Sequence, residues 1–127
     1  MFTQSYQNIL VGIDGSDQAM EAFKKALAVA KRNHGTVYAA NVIDHQVYTF
    51  MSYSPLNENI MDQLTADAKN LINECKAFGK EYGYNKIEGI IAYGSAKEAM
   101  ARTLPEKYDI DLVMVGQSGL NAVERFM

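Results

Sequence analysis

The feature that most constrains the fold of this chain is a regular alternation of short apolar segments with amphipathic ones. Residues 8–13, 36–43, 87–93 and 111–115 are largely apolar and rich in β-branched residues, and each is short enough to be a strand buried on both faces. The segments between them are long enough for helices. This β-α-β-α-β-α-β order predicts an α/β fold with an open, doubly wound parallel sheet and helices on both faces.

Helix signals occur at the expected places between the strands. Ser16 or Asp17 can cap a first helix, and Gly35 is predicted to end it in the left-handed conformation. Apolar residues recur at helical spacing between residues 60 and 82, which predicts a long second helix. A third helix is predicted to begin at Ser95, which forms a capping-box pattern with Glu98.

Three regions carry weaker predictions. Residues 44–57 show neither helical nor strand periodicity and are predicted to be a loop, with aromatic residues that could cover a bound base. Pro105 falls near the middle or end of the third helix, where its geometry is not predictable from sequence. Residues 121–127 are predicted to begin a further helix.

The chain length and the net charge argue against several classes of protein. The 127 residues fit one domain over residues 1–127, and the net charge of −3 without a large Lys/Arg cluster argues against nucleic-acid binding. No apolar run approaches the length of a membrane helix, so we expect no membrane association. The single cysteine, Cys75, is consistent with a reducing compartment, and we expect a cytoplasmic protein.

Three strand ends carry candidate ligand-binding residues. In a doubly wound sheet the ligand site lies outside the carboxyl ends of the strands, so Asp14, Val42 and Gly116 are expected to converge. The Asp14 carboxylate can accept hydrogen bonds from a ribose or an adenine edge, or hold Mg²⁺ beside phosphates; alternatively, it only supports the start of the first helix. Val42 or Ile43 can contact a purine through its backbone N–H and C=O groups, or be ordinary core.

The segment Gly116-Gln-Ser-Gly119 is a Gly-x-x-Gly turn that lets the backbone approach a ligand closely. Backbone N–H groups of a following helix would favour an anion there. The chain has neither a P-loop nor a Gly-x-Gly-x-x-Gly motif, which excludes the common nucleotide fingerprints. His34, His45 and Cys75 have no catalytic spacing, and no catalytic residue is predicted.

Taken together, residues 9–16 with Asp14, the glycine at 94 before a helix, and residues 111–119 resemble the universal stress proteins. The resemblance spans nearly the whole chain and implies a Rossmann-like fold of the adenine nucleotide alpha hydrolase type. In the ATP-binding branch, the equivalent positions hold adenine, ribose and phosphates. The nucleotide-binding residues that the resemblance implies are Ile13, Asp14, Val42, Val115, Gly116, Ser118 and Gly119.

The chain departs from the family pattern at its end. After the second glycine the family motif continues with nine residues and then Gly-Ser/Thr, whereas this sequence reaches residue 127 first. We therefore expect a chain that is C-terminally truncated, with the last helix and strand missing or incomplete. Family members commonly dimerise through that strand, so a homodimer is expected for the longer form. Without it, the fourth strand would be an exposed edge.

The resemblance implies a stress-response protein that binds ATP or a related adenine nucleotide, with or without Mg²⁺, as a regulatory module with at most slow hydrolysis. An alternative within the family is a dimeric interaction module that binds no nucleotide. An adenylating enzyme is a weaker alternative, because residues 14–17 lack the paired glycines of its phosphate loop. A phospho-accepting response regulator is disfavoured, because Tyr93-Gly94 ends the third strand where an aspartate is required.

Overall fold

The chain alternates strands and helices along its length, as the apolar pattern predicts. The computed structural model of the protein describes residues 6–44, 58–116 and 123–125. The strands are β1 (Asn8–Gly12), β2 (Thr36–Ile43), β3 (Ile87–Tyr93), β4 (Leu112–Met114) and β5 (Val123–Arg125). The α-helices are α1 (Asp17–Asn33), α2 (Glu58–Tyr82), α3 (Ala96–Glu98) and α4 (Leu104–Tyr108), and a π-helical turn, Ala99–Thr103, joins the last two.

The strands form one sheet in the order β3-β2-β1-β4-β5. The first four are mutually parallel; Leu10, for example, pairs with Tyr38 of β2 on one side and with Val113 of β4 on the other. The chain order runs outward from β1 in both directions, which makes the boundary between β1 and β4 the switch point of the sheet. The predicted open, doubly wound parallel sheet is confirmed.

Side chains of the central strand alternate between two apolar layers, as a strand buried on both faces requires. Ile9 and Val11 pack with Phe23 of α1 and Cys75 of α2 on one face. Leu10, between them, packs on the other face in a second cluster with residues of the π-helical turn and α4. The helices therefore cover both faces of the sheet.

The first helix begins at the predicted cap, but the left-handed residue that ends it lies one position earlier than predicted. The Ser16 Oγ accepts a hydrogen bond from the N–H of Ala19 at 3.1 Å, which confirms the predicted cap. At the other end, His34 has the left-handed conformation with φ 59°, so the prediction that Gly35 would adopt it was wrong. Gly35 is needed for another reason, since a Cβ there would lie 2.5 Å from the carbonyl oxygen of Gln7.

Pro105 explains the π-helical turn. Proline has no N–H, and its ring collides with the carbonyl four residues earlier in a regular helix. Immediately before it, the N–H of Leu104 donates to the carbonyl of Ala99, five residues back, and this wider turn separates α3 from α4. The capping serine Ser95 is confirmed, because its Oγ accepts from the N–H of Glu98 at 3.3 Å.

The C-terminal segment corrects a prediction. Residues 121–127 were expected to begin a helix, but Val123–Arg125 form β5, which pairs antiparallel with β4. This pairing satisfies the backbone groups along the outer side of β4, which the sequence alone suggested would be an exposed edge. The predicted loop at 44–57 lies outside the described residues, apart from residue 44.

Candidate functional site

A cleft of about 180 Å³ opens at the carboxyl ends of β1, β2 and β4, beside the switch point of the sheet. Three strands, the first turn of α1 and the segment after Ser95 all contribute to it. Its lining consists of Gly12, Ile13, Asp14, Ala19, Ala40, Asn41, Val42, Ala96, Met100, Val115 and Gly116. An open α/β sheet binds its ligands in this position as a rule.

One wall of the cleft is apolar. Val42, Met100 and Val115 line it and also pack against the cluster between the sheet and the π-helical segment. Gly12 completes this wall without a side chain, because a Cβ there would lie 3.2 Å from Cε of Met100. An apolar wall of this kind suits a flat ring system better than a charged group.

The rim of the cleft is polar and centres on Asp14. The Asp14 side chain is exposed, and its Oδ1 accepts a hydrogen bond from the N–H of Ser16 at 2.9 Å. This contact is an Asx turn that leads into the cap of α1. Asp14 thus supports the start of the helix and also lines the cleft. A carboxylate has further acceptor sites, so the turn does not prevent it from binding a ligand.

Asn41 was not predicted as a site residue, although it lines the cleft. Its Nδ2 donates to the carbonyl of Ile13 at 2.7 Å, and the N–H of Ile13 donates to the carbonyl of Ala40 at the same distance. These two bonds hold the end of β1 against β2. The signal in the sequence was a single amide side chain inside an apolar, buried strand, where an unpaired polar group is unfavourable.

Gly116 lines the cleft and also allows the chain to pass α1. A Cβ at Gly116 would lie 2.3 Å from the backbone nitrogen of Ala19 and 2.3 Å from the carbonyl carbon of Gln18. A side chain at this position would require the backbone on one side of the contact to shift. The structure therefore provides a packing reason for this glycine in addition to the predicted approach to a ligand.

The structure brings five of the predicted site residues into one cleft: Ile13, Asp14, Val42, Val115 and Gly116. Ser118 and Gly119 lie outside the described residues. Binding at any of these positions stays a prediction. Met100, like Asn41, was missed, because it was interpreted only as part of the apolar side of its helix.

Among the described residues, the one cysteine lies away from the cleft, and no cluster of metal-ligating side chains is present. Cys75 is fully buried in the core, as predicted, and burial raises the pKa of its thiol to about 11. Within residues 6–44, 58–116 and 123–125, His, Cys, Asp and Glu side chains form no group of three that could hold a metal ion. Over the same part of the chain, no helix has the length and apolar character needed to cross a membrane.

The fold and the cleft define an α/β protein with an open cleft at the switch point of a parallel sheet. The model of the Universal stress protein family matches residues 5–127. The chain belongs to the universal stress protein family, which confirms the resemblance found in the sequence.

Individual relatives agree with this assignment. A curated protein of Staphylococcus aureus (strain USA300), named as a member of the same family, is 37% identical over 123 residues, which cover 97% of this chain and 73% of the relative. Universal stress protein UspA from Lactobacillus plantarum superposes with a TM-score of 0.72 at 25% identity, covering 92% of this chain and 83% of the other. A universal stress protein solved in complex with cAMP has a TM-score of 0.67 at 21% identity, covering 88% and 73%.

Proposed function

We propose that this protein binds ATP or a related adenine nucleotide in the cleft and acts as a nucleotide-dependent regulatory module in the stress response. The observation that carries the proposal is the convergence of Asp14, Val42 and Gly116 from three strand ends in one cleft at the switch point. The solved relative in complex with cAMP supports an adenine nucleotide as the ligand class.

The residues of the cleft fit the parts of a nucleotide. The apolar wall of Val42, Met100 and Val115 would hold the base, and backbone groups at Val42 would pair with its edge. The volume of about 180 Å³ is below the roughly 300–1,000 Å³ of typical ligand pockets, so the described residues account for part of a nucleotide only. The exposed Asp14 would hold ribose hydroxyls or a Mg²⁺ ion that accompanies the phosphates.

Ser118 and Gly119 belong to the proposal as phosphate-binding residues through their backbone N–H groups. The described residues that follow, Val123–Arg125, form β5 rather than the predicted helix, so these N–H groups would act without the added attraction of a helix end. We therefore expect affinity to come mainly from the base and ribose, with the phosphates as a secondary contribution. Chemistry on the phosphates would be slow at most, because the described residues that line the cleft include no histidine, cysteine or lysine.

Substitutions at Asp14 can separate its structural role, the hydrogen bond from Ser16, from its proposed role in nucleotide binding. Asp14→Asn keeps an oxygen that accepts from the N–H of Ser16 but removes the charge, whereas Asp14→Ala removes both. Asp17→Asn is the matched control, because Asp17 is also exposed at the start of α1 but does not line the cleft. Calorimetric titration with ATP and Mg²⁺, cAMP and GTP would give each affinity, and thermal unfolding would give each stability.

We expect saturable binding of an adenine nucleotide by the unchanged protein and by Asp17→Asn. Asp14→Asn should bind about tenfold or more weakly with little change in stability, since a charged hydrogen bond contributes about 1.5–3 kcal/mol. Asp14→Ala should lose binding and also some stability. Absence of saturable binding by the unchanged protein would refute the proposed function.

A second candidate function is an interaction module that binds no nucleotide. It is favoured by one observation: Asp14 and Gly116 each have a structural reason to be present, in the Asx turn and in the contact with α1 respectively. The same titrations decide between the two. A cytoplasmic location and a homodimer in a longer form of the chain are further parts of the proposal, and sedimentation of a chain extended past residue 127 would test the dimer.

A further inference from the structure

Met100 occupies an unusual position in the cleft. It belongs to the π-helical turn Ala99–Thr103, and its thioether reaches the end of β1. The ideal Cβ position of Gly12 is 3.2 Å from the Met100 Cε and 3.7 Å from its Sδ. A side chain at position 12 would therefore press on the methionine tip, which would have to move by a few tenths of an ångström.

The Met100 side chain lies beside Gly12 and Val115, where it limits the size of the cleft. Gly12, Val115 and Met100 all line the cleft, and the Val115 Cγ1 is 4.0 Å from the same Cβ position. The Met100 side chain is half-buried, so one part packs in the cluster with Leu10 and Val113 while the rest borders the open space. Removal of the thioether would extend the cleft towards Gly12.

We propose that Met100 is a specificity-determining residue, which restricts the cleft to purine nucleotides without a bulky substituent on the base. The proposal rests on the proposed function, because it concerns the same cleft. Methionine is unbranched and fills irregular gaps, and in the described part of the cleft, about 180 Å³, its thioether limits the space beside Gly12. A bulkier base could enter only if the thioether moved out of its place beneath Gly12.

Met100→Ala, with Met100→Leu as a control of similar volume, tests the proposal. The probes are ATP, N6-benzyl-ATP and 8-benzylamino-ATP, which carry the aromatic group at opposite ends of the purine. We expect Met100→Ala to bind at least one benzylated analogue about tenfold more tightly, relative to ATP, than the unchanged protein does. Met100→Leu should keep the preference of the unchanged protein. Met100→Val serves if the alanine variant is poorly folded.

A second probe separates this proposal from nucleotide binding itself. An apolar cavity opened by truncation of a side chain can bind a small aromatic molecule. We expect indole to shift the amide resonances of Gly12 and Val115 in Met100→Ala and to leave them unchanged in the parent protein. If no variant binds ATP, the proposed function fails and the purine specificity fails with it, and indole binding to Met100→Ala alone would then show only that Met100 fills the space beside Gly12. If ATP binds but the alanine variant gains affinity for neither benzylated analogue, the Met100 proposal is overturned while the proposed function stands.

Discussion

The backbone of Gly116 lies directly against that of Ala19, so close that a Cβ on Gly116 would be 2.3 Å from the Ala19 nitrogen. This contact joins the end of β4 to the first turn of α1 on one side of the cleft. The glycine is required whether or not a ligand binds. Conservation of a glycine at such a position would therefore not by itself indicate a nucleotide site.

We predict that Gly116→Ala destabilises the protein by about 1–3 kcal/mol, the range expected when extra atoms are forced into a packed site. The neighbouring atoms are backbone, which cannot rotate away as a side chain can. Urea unfolding would measure the change. Gly12→Ala is the comparison and should lose less than Gly116→Ala, because its nearest neighbour is the flexible end of Met100. Equal stability of Gly116→Ala and the parent would show that the contact with α1 is looser than described.

The pair Gly12 and Met100 should be energetically coupled. Gly12→Ala forces the Met100 tip to move and should cost about 1 kcal/mol, whereas in a Met100→Ala background the same substitution meets no thioether and should cost almost nothing. A double-mutant cycle by chemical unfolding would give a coupling energy of about 0.5 kcal/mol or more. Additive effects would contradict the described contact.

The strands were predictable because their signals are local. The apolar, β-branched runs gave the bounds of β2 (Thr36–Ile43) and β3 (Ile87–Tyr93) directly, and the structure has these same bounds. The wrong predictions arose where a contact between residues far apart in sequence determines the local structure. Gly35 is a glycine because Gln7 lies against it, not because of its φ angle, and Val123–Arg125 form a strand because β4 offers an unpaired side.

The site was predictable in part for a geometric reason. Carboxyl ends of parallel strands meet at one edge of the sheet, so Asp14 and Val42 could be assigned to one site without coordinates. Met100 could not be assigned in this way. Its place in the cleft depends on how the helical segment crosses the sheet and on the wide turn that Pro105 imposes, and neither follows from hydrophobic periodicity.

At the opposite end of the sheet, Asp111 should contribute to stability by holding the start of β1. Its Oδ2 accepts hydrogen bonds from the N–H groups of Gln7 and Asn8, each at 2.9 Å. Asp111→Ala removes the acceptor from both, and we expect a loss of about 1–3 kcal/mol in the free energy of unfolding.

Asp111→Asn should lose less, because an amide oxygen can still accept these bonds. Glu106→Gln, a change at an exposed carboxylate nearby, is the matched control and should be neutral. Nucleotide affinity should be unchanged in all three variants, since Asp111 and Glu106 do not line the cleft. A neutral Asp111→Ala would mean that β1 begins without this support.

Burial of Cys75 should make stability depend on pH in the alkaline range. The thiol is fully buried, and burial raises its pKa from 9.0 to about 11. As the pH rises above 9, the unfolded chain loses the thiol proton while the native protein keeps it, so the free energy of unfolding should fall between about pH 9 and pH 11. Below pH 9 the contribution of the buried thiol to stability is fully present.

Burial also raises the pKa values of Tyr38 and Tyr84, so these tyrosines lower the stability at alkaline pH as well. The decrease in the free energy of unfolding must therefore be compared with that of Cys75→Ala, which lacks the thiol. A parallel decline in both proteins would show that the Cys75 thiol is not held protonated by the fold.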